Sequence, residues 1–214
     1  MFVRKHPKVG KRRRRDPEGT RELLLQAASR EVHKLGFQSA GLDTILAATG
    51  VTKGALYYHF GSKKALGYAV VEEVIAASTR NKWLVPLRSS ADPVGTLIGI
   101  VKATPLRLEE TRAGCPLINL AQEMSLRDEG FRKHVARVFH DWEEGIATAL
   151  RKGQAEGIVR RDLDVREASS FFIATYEGYA MLAKNAQNVN VWKVGIKNIV
   201  GWLRSLRAPK RRTN

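Results

Sequence analysis

The chain has one cysteine in 214 residues, Cys115, so no intrachain disulfide can form and a disulfide-stapled secreted scaffold is excluded. It also has no long hydrophobic run. The longest apolar stretch, Ala65 to Val71, stops at Glu72 and Glu73, whereas a membrane-spanning helix needs roughly 18 or more such residues. The basic N-terminal block is followed by Asp16-Pro17-Glu18 rather than an apolar core, unlike a secretory signal. A cytoplasmic protein with no membrane partner is expected. Catalytic spacings are absent too: there is no HExxH, no glycine-rich phosphate loop and no GxSxG. Glu72-Glu73, Glu109-Glu110 and Glu143-Glu144 are adjacent pairs, which on a helix point about 100° apart. His134 and His140 are six apart, where two ligands on one helix face need three or four. No enzymatic activity, metal or cofactor is expected.

Acid is scarce. Against 37 Lys+Arg there are only 21 Asp+Glu, a formal net charge of +16. With 43% apolar and 27% charged residues the chain can still bury an ordinary core. An excess of this size favours polyanionic partners, nucleic acid or an anionic membrane surface. The excess is uneven: residues 1–15 carry +8 and Arg204, Arg207, Lys210, Arg211 and Arg212 carry +5, leaving +3 for residues 16–203. Residues 1–16, with Arg12, Arg13, Arg14 and Arg15, read as a disordered basic arm that binds phosphate, reaches a minor groove or merely solubilises. Residues 207–214 read as a basic tail.

What lies between is helical. Leu24, Ala28, Val32 and Leu35 recur at helical spacing until Gly36. Short helices are predicted at 42–48 and 52–60, then a longer one from Ser62, with Leu66, Val70, Val74 and Ala77 in a four-residue register. Pro86, Pro93, Pro105 and Pro116 are expected to divide the middle into short helices, and further helices are predicted near 131–155, 165–184 and 190–206. No segment alternates as a strand would. The prediction is an all-α protein of about nine helices, with a small domain at 17–64 and a larger one at 65–206.

Residues 42–60 carry the most specific pattern. Two short helical stretches meet at Gly50, with Leu42, Ile45, Leu46, Val51 and Leu56 available to pack them together, as in a helix-turn-helix. In the second stretch Thr52 can cap, Gly54 and Ala55 allow close approach to base edges, and Lys53, Tyr57, Tyr58 and His59 can donate to phosphates or bases. Lys63 and Lys64 are placed to neutralise a flanking phosphate. On spacing alone, a plain helical hairpin with a polar surface fits as well.

The run Gly36-Phe37, Ile45, Gly50-Val51-Thr52-Lys53-Gly54-Ala55-Leu56-Tyr57-Tyr58-His59-Phe60 and Ser62-Lys63-Lys64-Ala65-Leu66 closely resembles the N-terminal signature of the TetR/AcrR family of bacterial transcription regulators. The likeness covers about residues 20–70. Gly114-Cys115-Pro116-Leu117 is similar to a Gly-Cys element of some members. The chain departs from the pattern at Ala40-Gly41, where a hydroxyl pair is usual before helix 2, leaving Ser39 as a possible substitute cap. It departs again at Leu46, where a small residue is common.

The resemblance implies a homodimer on a near-palindromic double-stranded DNA operator, joined through helices near 131–155 and 165–184 and controlled by a small-molecule effector. It implies a repressor first, an activator as the alternative; a non-specific architectural nucleic-acid-binding protein is the rival suggested by charge alone. Candidate effector contacts are Trp83, Leu106, Cys115, Asn119, Leu120, Met124, Phe139, Trp142, Phe172 and Tyr176, a set that suggests a largely apolar ligand. Apolar positions at helical spacing are more often plain core. Cys115, three residues after Arg112, is either a reactive thiol or a small buried hydrophobe.

Overall fold

Asp16 opens the first helix: its carboxylate accepts from the Gly19 N–H at 3.0 Å, and Pro17 follows at the first helical position, where a missing N–H costs nothing. In a computed structural model that describes residues 16–209, Asp16 thus belongs to the folded head and not to the basic arm. Arg12 to Arg15 and Lys210 to Arg212 lie outside the described residues. Helix α1 (Pro17–Leu35) buries Leu24, Leu25, Ala28 and Val32, and ends at Gly36 with φ 82°. Leu35, expected on that face, is exposed. Helices α2 (Leu42–Thr49) and α3 (Lys53–Phe60) pack on α1 through Ile45, Leu56 and Phe60.

A continuous helix, α4 (residues 63–88), leaves the head, with Ser62 capping it by accepting from the Ala65 N–H at 3.0 Å. It widens into π-helical turns at Val70–Ile75 and at Arg80–Leu84. The predicted four-residue register fails here because a π-turn takes more residues per revolution. Leu66 and Val70 are buried as predicted, but beyond them Val71 and Ile75 are buried and Val74 and Ala77 only partly so. Pro86 does not break the helix. It falls just after the second wide turn, where the i→i−4 ladder is already loosened, and the helix ends two residues later.

The remainder is a helical bundle: α5 (Pro93–Lys102), α6 (Leu108–Ala113), α7 (Pro116–Met124), α8 (Glu129–Ala155), α9 (Val165–Ala186) and α10 (Val189–Ser205). The only strand-like pairing among the described residues is one antiparallel bridge, Val159 to Arg207. Arg207 is docked there and pairs with Asp92 at 2.6 Å, so the predicted tail begins beyond it. Of the α8 stripe expected at a subunit interface, Val135, Val138, Trp142, Ile146 and Leu150 are buried within the subunit, and Phe139 is half-buried against the same core. Four exposed large apolar side chains sit on α9 and α10, at Phe171, Met181, Leu182 and Val194; others, such as Leu23, Val85 and Leu126, lie elsewhere on the surface.

Candidate nucleic-acid interface and internal cavity

The turn between α2 and α3 is set by Gly50, left-handed at φ 64°, ψ 14°, whose N–H donates to Leu46 O at 2.9 Å. An added Cβ there would meet nothing within 4 Å, so backbone conformation and not space demands glycine. Thr49 Oγ1 bonds back to Ile45 O and receives the Val51 N–H, which closes the turn. Thr52 then caps α3, accepting from the Ala55 N–H at 3.3 Å. Leu56 (0% exposed) and Phe60 anchor one side of α3. The opposite side presents Thr52, Lys53, Gly54, Tyr57 and Tyr58 to solvent, with Tyr58 82% exposed. Ala55 and His59 are half-buried at its flanks, and the His59 ring meets Tyr58 edge-on at 5.2 Å. A Cβ on Gly54 would also touch nothing, so no contact within the protein requires a glycine at this exposed position.

Two expected phosphate ligands are otherwise engaged. Lys63 donates to Gln38 O at 3.0 Å and lies over the Phe37 ring, while Lys64 pairs with Asp128 at 2.9 Å. Ser39 does not cap α2, whose N-cap is Gly41 without a side-chain bond. Leu46 is half-buried and packed against the core, filling space a smaller residue would leave.

Head and bundle are fastened by buried and charged contacts. Arg21 forms a fork with Glu73 at 2.7 and 2.5 Å. Glu123, near the end of α7, accepts from the Phe37 and Gln38 N–H groups at 2.8 and 2.9 Å, holding the α1–α2 turn. Asp128 accepts from the Tyr68 hydroxyl at 2.6 Å and from the Phe131 N–H at 3.0 Å. Those bonds, with Lys64, hold its carboxyl far below the usual carboxylate range.

Behind the head, α4, α6, α7, α8, α9 and α10 enclose a cavity of about 230 Å³. Four of the ten predicted contacts line it: Trp83, Cys115, Trp142 and Tyr176. The others are placed elsewhere. Leu120, Met124 and Phe172 are buried in the core, and Phe139 is packed against it. Leu106 is exposed. Asn119 faces away, donating to Ala113 O and accepting from Lys184 Nζ.

The pocket is not the plainly apolar one expected, because charged and hydroxyl groups reach it. Lys82 Nζ donates to Tyr176 Oη at 2.7 Å, and Tyr176 Oη lies 3.1 Å from Thr104 Oγ1. Glu177, 4% exposed, lines the same wall, and its Oε2 has no partner among the described residues. An unpaired buried acceptor of this kind costs about 1–3 kcal/mol. Burial pushes the Glu177 carboxyl up to about 6, against the pull of the neighbouring Cys115 thiol and of Lys82. Burial and that carboxyl in turn push the Cys115 thiol up to about 12. Of the two readings of Cys115, the reactive thiol is therefore not favoured: Arg112 is exposed, and the group beside the thiol is an acid.

Sequence reading missed Lys82, Thr104 and Glu177. For Glu177 a signal existed: it falls between Ile173 and Ala180 at steps of four and three, a charged residue on an apolar stripe. Lys82 and Thr104 carried none.

Residues 24–70 match the model of bacterial regulatory proteins of the tetR family, and residues 101–196 match the tetracyclin repressor-like C-terminal domain. The chain is 30% identical over 173 residues to the HTH-type transcriptional regulator LmrA of Bacillus subtilis, covering 79% of this chain and 88% of that one. It is 28% identical over 168 residues to the HTH-type transcriptional repressor DhaR of a Mycobacterium species, covering 78% and 84%. A TetR transcriptional regulator from Chloroflexus aurantiacus superposes with a TM-score of 0.79 at 27% identity, over 90% of this chain and 98% of that one. No helix among the described residues is long and apolar enough to cross a membrane.

Proposed function

Because the chain belongs to the TetR family of bacterial transcriptional regulators, DNA-binding proteins and not enzymes, we propose that it is a cytoplasmic homodimeric repressor released from a near-palindromic operator by a small molecule in the cavity. The observation that carries this reading is the placement of α7. Cys115, at its N-terminal end, lines the cavity, and Glu123, near its other end, holds the backbone of the α1–α2 turn. His33 of α1 also meets Gly114 O, beside Cys115, at 2.8 Å. A ligand that moves α7 therefore moves the head, and operator affinity falls only as far as the ligand discriminates between the two positions.

In this reading the dimer forms on α9 and α10. Phe171, Ala174, Gly178 and Leu182 follow one exposed stripe of α9, and a Cβ on Gly178 would meet nothing within the subunit, leaving room for another helix. Two α3 helices would then read half-sites about 34 Å apart, one turn of DNA. Thr52, Lys53, Gly54, Ala55, Tyr57, Tyr58 and His59 form the reading surface, and the basic arm adds sequence-independent attraction. Selection from random duplex DNA tests the proposal: an inverted repeat with half-sites one turn apart is expected, and recovery of no preferred sequence overturns it. Gly178→Arg should give monomers by analytical ultracentrifugation.

A further inference from the structure

Two features of the cavity point to the chemistry of its occupant. The first is an aromatic enclosure: Trp83 lies 5.1 Å from Trp142 and 5.0 Å from Tyr176, and Tyr176 lies 5.0 Å from Trp192, centroid to centroid. The second is Glu177, almost wholly buried in that wall with Oε2 unpaired. An ionised carboxylate only accepts hydrogen bonds, so what is missing at Oε2 is a donor. The Cys115 thiol interacts with this carboxyl and Lys82 acts on it through its charge, yet Oε2 itself has no bonded donor among the described residues.

The chain already displays how these rings treat a cation. The Lys82 ammonium lies 4.9 Å from the Trp83 centroid and 5.0 Å from that of Tyr176, within the range of cation–π attraction. Lys82 is an exposed residue on a flexible four-carbon stem, so turning its head group into water costs little. Of the charged residues lining the cavity, Lys82 and Glu110 are exposed and Glu177 is not. Lys82 can be hydrated where it stands; Glu177 is enclosed, and a donor for its Oε2 has to come from within the cavity.

We propose that the cavity takes a small aryl-alkyl ammonium compound, whose N–H donates to Glu177 Oε2 and whose apolar part lies against the tryptophans, with Lys82 displaced to solvent. The proposal rests on the cavity being the effector site and adds the chemical class. A carboxylate ligand on Lys82 is the alternative, and it would leave Glu177 unpaired beside a second negative charge.

The two classes predict opposite responses to the same pair of variants. Isothermal titration of the full chain at pH 7.5 would use 2-phenylethylamine and 3-phenylpropanoate as probes. The amine is expected to bind and the carboxylate not. Glu177→Gln should weaken the amine at least tenfold, and Lys82→Met should strengthen it severalfold by removing the competing internal ammonium. Preference for the carboxylate, amine affinity indifferent to Glu177→Gln, or binding of neither probe overturns the proposal. Thermal unfolding guards against a misfolded variant, since Glu177→Gln should melt no lower than the parent. If the amine binds as described yet leaves the selected operator complex intact, the ligand class stands and the effector role of the cavity falls. If another class of compound releases the operator while amines do not bind, the reverse holds.

Discussion

The recognition head and the cavity place their polar groups on opposite sides of the same rule. In the head, the side chains suited to DNA face water, and what lies beneath them, Leu24, Ile45 and Leu56, is apolar and fully packed. Nothing there needs a partner in order to be stable. In the cavity, a carboxylate, a thiol and a tyrosine hydroxyl are enclosed among tryptophans, and one carboxylate oxygen is left without a bond. A surface that waits for a large, hydrated polyanion carries no stability cost for its function. A pocket that waits for a small ligand does, and that cost is the means by which a ligand can be felt.

The contrast can be broken most forcefully at Leu56. Leu56→Ala should destabilise the head by about 2–5 kcal/mol, read as loss of cooperative unfolding or a lower denaturant midpoint; a change below about 1 kcal/mol would mean the head is not a packed unit. Gly54→Ala is the complementary test. Its new Cβ meets nothing in the protein and adds helix propensity, so stability should hold or rise by up to about 1 kcal/mol. Operator affinity, measured by fluorescence anisotropy, should nonetheless fall at least tenfold.

Glu177→Gln should behave in the reverse sense, improving the empty protein. Glu177 holds its proton more tightly folded than unfolded, so native stability declines as pH rises from about 4.5 through about 6 and stays lower above that. The variant should therefore gain on the order of 1–2 kcal/mol above pH 6 and nothing below pH 4.5; an equal gain at both extremes would assign the effect to packing. Asp128 supplies the opposite dependence. Its carboxyl is held below the usual range by the Tyr68 hydroxyl, the Phe131 N–H and Lys64. The stability it contributes is complete above about pH 4 and is lost as pH falls further. In Asp128→Asn this part of the acid limb should flatten in thermal scans.

How far each region is legible in the sequence follows from where its contacts come from. The head is local: Gly50, Thr52, Leu56 and Phe60 lie within a dozen residues, and a turn, a cap and a helical stripe suffice to place them. The intramolecular partners of Lys63 and Lys64, Gln38 and Asp128, come from other elements, and no local pattern reveals them. The cavity is assembled from residues 75 to 192, so an apolar residue at helical spacing looks the same whether it lines the cavity, as Trp142 does, or fills the core, as Phe172 does. The α8 stripe is ambiguous for the same reason. Periodicity identifies a buried face without saying whether the neighbour is another helix of the same chain or of a second copy.

The two wide turns in α4 have a consequence for how this chain can change length. A π-turn accommodates an extra residue while the helix on either side keeps its phase. Removing one residue from Val70–Ile75 should return that stretch to α-helix with Leu66 still facing the head and Trp83 still facing the cavity. The same deletion in a regular stretch would rotate one end by about 100°. The helix that joins reading surface to pocket is thus the place where this chain can absorb an insertion or deletion without losing the alignment of the two.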